Sequence, residues 1–329
     1  MILVDLNQVL IAGMMTQINK SKSNAIEEGL IKHMALNILR NHVKTFKKSY
    51  GDVILCCDNR KYWRKDIFPY YKAGRKKNRE KSNLDWHLIF DILGRFKTDL
   101  KENFPYKVID VEGAEADDII GTLAPRHVAH EDVLILSSDG DFLQLQRYNN
   151  DKYQIKQYNP TTKKFIVSDD PIKDLKEKII RGDAGDGIPN VLSASDSFVN
   201  GIKQKSITEP KLQMMMNEDW TNWDNEYAKT NFDRNRQLID CRCSRGELQQ
   251  FIAVGINNLR RTQIGCNSAT CTLGRDVDVD IGIVTCGGKR RPTTSCGIGN
   301  RQLIYRRSGS RQCQYVRTVR IEDRGKELW

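Results

Sequence analysis

Four short apolar runs recur in the first 140 residues, and each is followed by polar or acidic residues. The runs occupy residues 2–4, 53–57, 106–111 and 133–136. Three longer segments between them carry apolar residues at helical spacing among charged ones. These segments are residues 26–48, 84–99 and 115–123. Short apolar strands that alternate with amphipathic helices predict an α/β fold, with a mostly parallel central sheet flanked by helices.

The pattern changes after residue 170, where apolar runs give way to short helical segments separated by glycine and proline. We therefore expect an α/β domain over residues 1–175 and a small helical region over residues 176–240. Within the α/β domain, a helix is expected to start near residue 115. Pro125 is expected to end this helix early, because proline removes a backbone hydrogen bond.

Residues 241–329 form a tail whose composition differs from the rest of the chain. Residues 1–240 hold 26 Lys and 11 Arg, whereas the tail holds 2 Lys, 14 Arg and seven of the nine cysteines. With 16 basic and 7 acidic residues, the tail accounts for +9 of the formal net charge of +11. The total charge is therefore weak support for nucleic-acid binding by the body of the chain.

Three interpretations of the tail are open. A cysteine-rich metal module is disfavoured, because Cys241-x-Cys243 and Cys266-x4-Cys271 lack the paired spacing of a zinc site. A basic arm that grips phosphates fits the charge. A shift of reading frame near Asp240 is favoured, because it would exchange lysine for arginine abruptly. Translation of the gene in the other frames tests it.

The composition as a whole is that of a globular protein, with 39% hydrophobic and 29% charged residues. Because no run of 18 apolar residues occurs, no membrane span is expected. The N-terminus lacks the pattern of a signal peptide, which favours a cytoplasmic location where the cysteines need not pair.

Acidic residues follow the predicted strands, at the edge where open α/β sheets gather functional groups. The set comprises Asp5, Asp58, Glu115, Asp117, Asp118, Asp139 and Asp141, with Asp183 and Asp186 in the next segment. One such aspartate is usually a helix cap or a turn residue, and for Asp118 a cap is an equally good explanation. Carboxylates packed together oppose ionisation unless a cation compensates them. The whole set therefore predicts a metal centre.

Mg²⁺, or Mn²⁺ in its place, is the expected metal, because hard cations take oxygen ligands. The first 240 residues offer few His or Cys side chains for zinc. Two such ions, about 3.5–4 Å apart, activate water and stabilise the leaving oxygen in phosphodiester hydrolysis. Two-metal hydrolysis of a nucleic acid is accordingly the expected chemistry.

Residues 60–81 hold ten basic residues against two acidic ones. A charge run is usually a solvated helix face, but here aromatic residues interleave with it, which suits bases that stack while phosphates meet Lys and Arg. The aromatic residues are Tyr62, Trp63, Phe68, Tyr70 and Tyr71. Pro69 argues against one uninterrupted helix. We expect an arch, with Trp63 and Phe68 packed at its base.

Five segments, in order ILVDLNQ, VILCCDN, EGAEADDIIGTLA, LILSSDGDFLQL and RGDAGDGIPNV, resemble the flap endonuclease or 5′-nuclease family over residues 1 to about 240. The stretches YWRKDIFPYYKAGRKKNRE and DGDFLQL are most similar to the bacteriophage ribonucleases H within it. The resemblance implies a PIN-like nuclease domain followed by a helix–three-turn–helix region. Its glycine-rich turn would hold duplex phosphates through Gly182, Gly185 and Gly187, together with a K⁺ ion.

The resemblance also implies roles for the acidic and basic side chains. A first metal site would use Asp5, Asp58, Asp117 and Asp139, with Glu115 close by. A second, largely water-mediated site would use Asp141, Asp183 and Asp186, while Asp118 matches an acidic position of less defined role. Arg64 and Lys72 would approach the scissile phosphate, and Tyr71 would stack on a terminal base. Further nucleic-acid contacts would come from Lys65, Arg75, Lys76, Lys77 and Arg79.

The implied function is structure-specific 5′ cleavage of flaps, nicked or gapped DNA and RNA–DNA hybrids during replication, by a monomer. A sliding clamp and a single-strand DNA-binding protein are the implied partners, although the usual helices after Asp240 are not recognisable. A PIN-type ribonuclease is an alternative, disfavoured because such domains lack the arch and the glycine-rich turn. An inactive nucleic-acid-binding protein with a damaged C-terminus is the other alternative.

Overall fold

The computed structural model describes residues 1–21, 27–82 and 84–243. Its centre is a six-stranded sheet in the order β3-β2-β1-β4-β5-β6, and only β6 runs antiparallel to its neighbour. The strands are β1 (Ile2–Asp5), β2 (Val53–Cys57), β3 (Lys107–Asp110), β4 (Val133–Leu136), β5 (Ile155–Asn159) and β6 (Lys164–Ile166). The mostly parallel sheet confirms the predicted fold class. The three interpretations of the tail concern residues that, from 244 onward, lie outside the described part.

Helices cover both faces of the sheet and make up the region that follows it. They are α1 (Leu6–Ser21), α2 (Glu28–Tyr50), α3 (Arg64–Ile67), α4 (Gly74–Glu80), α5 (Trp86–Asn103), α6 (Ala116–His127), α7 (Pro171–Arg181), α8 (Ser197–Asn200), α9 (Glu209–Asn217) and α10 (Glu226–Ile239). Turns of 3-10 helix span Gly140–Tyr148, Trp220–Asn222 and Cys241–Cys243. Among the helices of the described residues, none has the length and apolar character needed to cross a membrane.

Alternate residues of the central strands pack against opposite helix layers, because successive side chains of a strand point to opposite faces. Val4 and Leu55 pack in a cluster with α1, α2 and α5, whereas Leu3 and Ile54 pack in a cluster with α6. Strands β1, β2 and β4 are buried throughout. Burial on both faces explains why their sequences are continuous apolar runs rather than alternating ones.

A third apolar cluster joins the basic segment to the helical region. Phe68 and Tyr71 pack there with residues of α7, α9 and α10. Trp63 and Phe68 are both buried, which confirms their expected packing role. The predicted break is also confirmed, since α3 ends at Ile67 and α4 starts at Gly74. The base of this segment is therefore fixed to the protein on two sides.

The expected early end of the helix at Pro125 was wrong. Helix α6 continues to His127, and the backbone N–H of Val128 still donates to the carbonyl of Ala124 at 3.0 Å. The proline lies in the last turn, so it removes one backbone hydrogen bond without interrupting the turns that precede it.

Candidate active site

Four aspartates converge on one cavity at the carboxyl edge of the sheet. Asp5 is the last residue of β1, Asp58 and Asp139 follow β2 and β4, and Asp117 lies in the first turn of α6. The three strands are neighbours in the sheet, so the fold brings together side chains that are far apart in sequence. All four line a cavity of about 290 Å³. A larger cavity of about 510 Å³ lies beside α2 and contains none of them.

The electrostatics of this cavity oppose full ionisation of its carboxyl groups. Burial, with the charges of Asp58 and Asp139, raises the pKa of Asp5 to about 8. Burial also raises the pKa of Asp117 well above its usual value, and Asp139 and Glu115 add to the shift. The pKa of Asp139 is likewise raised, chiefly by burial. A bound cation would remove this penalty, which is the behaviour expected of a metal site.

Neighbouring polar groups orient the carboxylates. The Asp58 carboxylate accepts hydrogen bonds from the Asn7 side chain at 3.0 Å and from the backbone N–H of Ala116 at 2.8 Å. The Ser137 hydroxyl donates to Asp5 at 3.1 Å. Asn7 and Ser137 were not among the expected site residues. Their position beside strand-terminal aspartates was a visible signal, but a short polar side chain there is usually a cap or a turn residue.

A second acidic cluster adjoins the glycine-rich turn. Asp141, Asp183 and Asp186 each offer a carboxylate oxygen within 4.8 Å of the others. The Lys178 ammonium pairs with Asp141, and it lies 2.9 Å from Asp183. Burial acts to raise the pKa of Asp183, but Lys178 and two backbone N–H groups lower it below its usual value. Lys178 was missed from sequence because a lysine on an amphipathic helix is ordinarily solvated.

Arg64, Glu115 and Asp118 form a buried ion network rather than a surface contact site. The Arg64 guanidinium lies 2.9 Å from Glu115 and 3.0 Å from Asp118, and its Nε donates to the carbonyl of Leu238 at 2.9 Å. The Arg64 side chain is only 2% exposed. This placement argues against its expected approach to the scissile phosphate.

Asp118 acts as a structural partner in the same network. Its carboxylate accepts from the backbone N–H of Glu115 at 2.8 Å and from the Trp63 indole at 3.2 Å. It is fully buried, and it is not among the residues that line the 290 Å³ cavity. Of the two explanations that the sequence left open for this residue, the geometry favours the helix cap over the metal ligand.

Tyr71 also lies inside the protein. Its hydroxyl donates to Asp186 at 2.9 Å and lies 3.2 Å from Glu115, and only 2% of the residue is exposed. Its ring packs in the third apolar cluster. This geometry argues against stacking on a terminal base. Tyr71 instead connects the basic segment to the carboxylates of Asp186 and Glu115.

Lys72 and Arg75 both line the 290 Å³ cavity. Lys72 has a left-handed backbone (φ 57°), and its N–H donates to the carbonyl of Asp186 at 2.8 Å. Its ammonium lies 2.6 Å from Glu115. Burial alone would lower the pKa of Lys72, but Asp186 and Glu115 raise it. Arg75 pairs with Asp186. Both cations are therefore held at the mouth of the acidic site.

Lys65 and Arg79 are not among the residues that line the cavity. Lys65 is exposed with its ammonium over the ring of Tyr62, and the exposed Arg79 lies over the ring of Phe90. The side chains of Lys76 and Lys77 lie outside the described part, although their backbone belongs to α4. Their expected contacts with nucleic acid stay predictions.

The glycine-rich turn uses its backbone donors internally. Gly182 has a positive φ of 73°, and a Cβ there would lie 2.3 Å from the carbonyl oxygen of Ile188. The N–H groups of Gly185 and Asp186 donate to the Asp183 carboxylate, and that of Gly187 donates to the carbonyl of Ala184. In this conformation the turn orders Asp183, and these three N–H groups are not directed at an external phosphate.

Comparisons with known proteins agree with this geometry. Residues 1–175 match the family model described as 5′-3′ exonuclease, N-terminal resolvase-like domain. The chain is 35% identical to Ribonuclease H of Enterobacteria phage T4 over 207 residues, which are 61% of this chain and 66% of that protein. It is 32% identical to a 5′-3′ exonuclease of Buchnera aphidicola over 161 residues, 47% of this chain and 53% of that protein.

The chain thus spans about half to two thirds of the length of these curated relatives. A solved structure of the bacteriophage T5 flap endonuclease, a pseudo-enzyme–product complex with DNA and metal ions, matches 79% of this chain and 98% of its own. The TM-score is 0.55 and the identity is 19%. At this identity the likeness shows a shared fold.

Replacement of Asp5 by asparagine should stabilise the metal-free protein at high pH. The pKa of Asp5 is raised from 3.8 to about 8 in the folded state, so the folded protein favours the protonated carboxyl group. Ionisation of Asp5 therefore destabilises the folded state progressively as the pH rises from about 4 to about 8. In EDTA at pH 8.5, Asp5→Asn should raise Tm by on the order of a few °C, with little change at pH 4. Asp151→Asn, at an exposed loop position, is the control. A lower Tm for Asp5→Asn at pH 8.5 would contradict the repulsion argument.

Replacement of Arg64 by alanine should unfold the site rather than only slow a reaction. Removal of one partner from a buried ion network costs about 3–5 kcal/mol, here because Glu115 and Asp118 lose their counter-charge. Thermal unfolding followed by circular dichroism measures the effect. Arg60→Ala, which removes a side chain that is 91% exposed, should leave Tm unchanged. A stable Arg64→Ala protein that had lost only cleavage would restore the sequence-based expectation of phosphate contact.

Proposed function

The chain belongs to the 5′-3′ exonuclease family, as its motifs indicated, and on that premise we propose that it is a divalent-metal-dependent 5′ nuclease. The observation that carries the proposal is the convergence of Asp5, Asp58, Asp117 and Asp139 on one cavity. Oxygen ligands of this kind suit Mg²⁺ or Mn²⁺, and the raised pKa values of Asp5, Asp117 and Asp139 support the proposal, because a bound cation would favour the ionised carboxylates.

The two acidic groups divide the proposed metal binding between them. Asp5, Asp58, Asp117 and Asp139 would hold one ion, with Glu115 orienting Lys72 beside it. Asp141, Asp183 and Asp186 would hold the other. A pair of bound ions supplies Lewis-acid activation of water and of the scissile phosphate. A K⁺ ion at residues 182–189 stays a prediction.

The chain's own residues position the nucleic acid around this centre. The Lys72 ammonium lines the cavity and would contact the phosphate that is cut. Arg75 lies at the same mouth and would neutralise the adjacent phosphate. Arg64 contributes by fixing Glu115, because its buried guanidinium cannot reach a substrate. Exposed cations such as Lys65 would add affinity that depends on salt.

The proposed substrates are DNA with 5′ flaps, nicks or gaps and RNA–DNA hybrids, in the setting of DNA replication. The similarity to T4 Ribonuclease H and the basic segment beside the cavity support this class. The division at residue 175 and the contacts with a clamp or a single-strand DNA-binding protein stay predictions, as does a monomeric state. Cleavage of single-stranded RNA alone would favour the PIN-type ribonuclease, and binding without cleavage would favour the inactive protein.

Loss of the Asp139 charge should abolish cleavage without abolishing binding. Asp139→Asn removes a proposed ligand, and we expect a decrease in kcat of about 100-fold or more, which corresponds to about 2.7 kcal/mol of barrier. The assay compares 5′-labelled flap, nicked and RNA–DNA substrates with Mg²⁺ and with EDTA, and duplex affinity is measured in parallel. An equal loss of affinity would indicate a structural role, and cleavage in EDTA would contradict the metal mechanism.

Substitutions of Lys72 and Lys65 should affect different quantities, the cleavage rate and the affinity for duplex respectively. Lys72→Ala removes the ammonium inside the cavity, so single-turnover cleavage should slow by about tenfold or more, or about 1.4 kcal/mol of barrier, with a smaller change in duplex Kd. Lys65→Ala removes an exposed charge, so it should weaken binding and reduce its salt dependence with little effect on the single-turnover rate. The opposite assignment of effects would remove Lys72 from the reaction centre.

A further inference from the structure

Lys178 holds the second acidic cluster together across two structural elements. It lies on α7, one turn before the glycine-rich turn, and its ammonium reaches Asp141 in the 3-10 turn that follows β4. The same ammonium lies 2.9 Å from Asp183. The Lys178 side chain is 30% exposed, so water lies on one side of it. A single cation therefore bridges two of the three carboxylates that a metal ion would also need, while Arg75 pairs with the third, Asp186.

The oxygens of this cluster are already bonded to donors of the chain. Oδ1 of Asp183 accepts the N–H groups of Gly185 and Asp186 at 2.7 and 3.1 Å, so Oδ2, which faces Lys178, is the oxygen left for an ion. Asp141 meets Lys178 through Oδ1. Lys178 therefore competes with an incoming ion for Oδ2 of Asp183 and Oδ1 of Asp141.

We propose that Lys178 is an internal counter-ion that occupies the second acidic cluster until a divalent cation displaces it, and that it thereby sets the metal affinity of this cluster. The inference rests on the proposed function, since it concerns the second of the two proposed metal sites. Lys178 is a positioning residue in this account, because it acts through Asp141 and Asp183 rather than on the substrate.

The first cluster is arranged differently, which makes the two affinities unequal. Within the described ranges, no lysine or arginine forms an ion pair with Asp5, Asp58, Asp117 or Asp139, and Lys72 pairs with Glu115 and Asp186 instead. Lys72 acts to lower the pKa of Asp117, and Lys178 that of Asp139, but both pKa values stay raised, so the first cluster keeps a repulsion that a metal ion relieves. In the second, an ion must first break two contacts of Lys178. The first cluster should fill at low metal concentration and the second only at higher concentration.

Calorimetric titration of the full-length protein with Mn²⁺ tests this order of binding. The wild type should show one tight and one weaker step. Lys178→Met should tighten the weaker step about tenfold, which corresponds to about 1.4 kcal/mol, and change the tight step by less, because Lys178 acts on Asp139 without forming an ion pair with it. Lys173→Met, which removes an exposed lysine from the same helix, is the matched control and should behave as the wild type. Lys178→Gln should reproduce the effect with a polar side chain, should the methionine variant fail to fold.

Thermal unfolding gives an independent measurement. Without metal, Lys178→Gln should have a lower Tm than the wild type, because Asp141 and Asp183 lose their cation, and saturating Mn²⁺ should raise its Tm by more than it raises that of the wild type. Two binding steps in the wild type with an unchanged or weakened second step in both Lys178 variants would overturn this inference and leave the proposed function intact. No Mn²⁺ binding by the wild type would overturn both.

Discussion

Repulsion among carboxylates at one edge of a parallel sheet is the constraint around which this protein is organised. The fold creates the repulsion, because β2, β1 and β4 lie side by side and each delivers an aspartate to the same edge. Burial then removes the water that would otherwise screen these charges. The raised pKa of Asp5, at about 8, is the direct expression of that conflict. Such an arrangement is tolerated in a folded protein where function requires the charge.

The lysine and arginine side chains pair with some of these carboxylates and not with others. Arg64 is committed to Glu115 and Asp118 in the interior, while Lys178 and Arg75 serve Asp141, Asp183 and Asp186 at the rim. Among the residues that the structure describes, no lysine or arginine forms an ion pair with the four aspartates of the cavity. The ion pairs of Arg64, Lys178 and Arg75 thus stabilise the framework, and carboxyl groups with raised pKa values are concentrated where a bound ion and a phosphate would meet. This division explains how a stable structure and a strained cavity exist in one domain.

Much of this arrangement could be predicted from sequence, because it depends on local signals. Each of the four apolar runs forms a strand, β1 to β4, as predicted. The acidic residues that follow β1, β2 and β4 lie at the carboxyl edge of the sheet, which is where they were expected. Strands β5 and β6 were missed because IKQYN and KFI are short, partly exposed and contain polar residues. Helix α1 was missed because LNQVLIAGMM is apolar on most of its surface, so it carries little helical periodicity.

The environment of individual side chains was the harder part to predict. Arg64 and Tyr71 belong to a basic, aromatic segment that suggests an exposed surface, yet both are buried by contacts with residues more than 40 positions away. No local pattern encodes those contacts. The same is true of Lys178, whose partners lie on a different element. Residue type indicated the chemistry of the site, while long-range packing decided which residues face the substrate and which support the framework.

The bond from Arg64 to the carbonyl of Leu238 has a consequence for how the chain can be divided. Leu238 lies near the end of α10, and a few residues later Cys241 packs so closely on α6 that a Cβ at Gly121 would lie 2.7 Å from it. The last turn of the helical region thus covers the buried charges of the α/β domain. A fragment cut at residue 175 would expose the guanidinium and its two carboxylates to water, so the acidic centre depends on the helices that follow it.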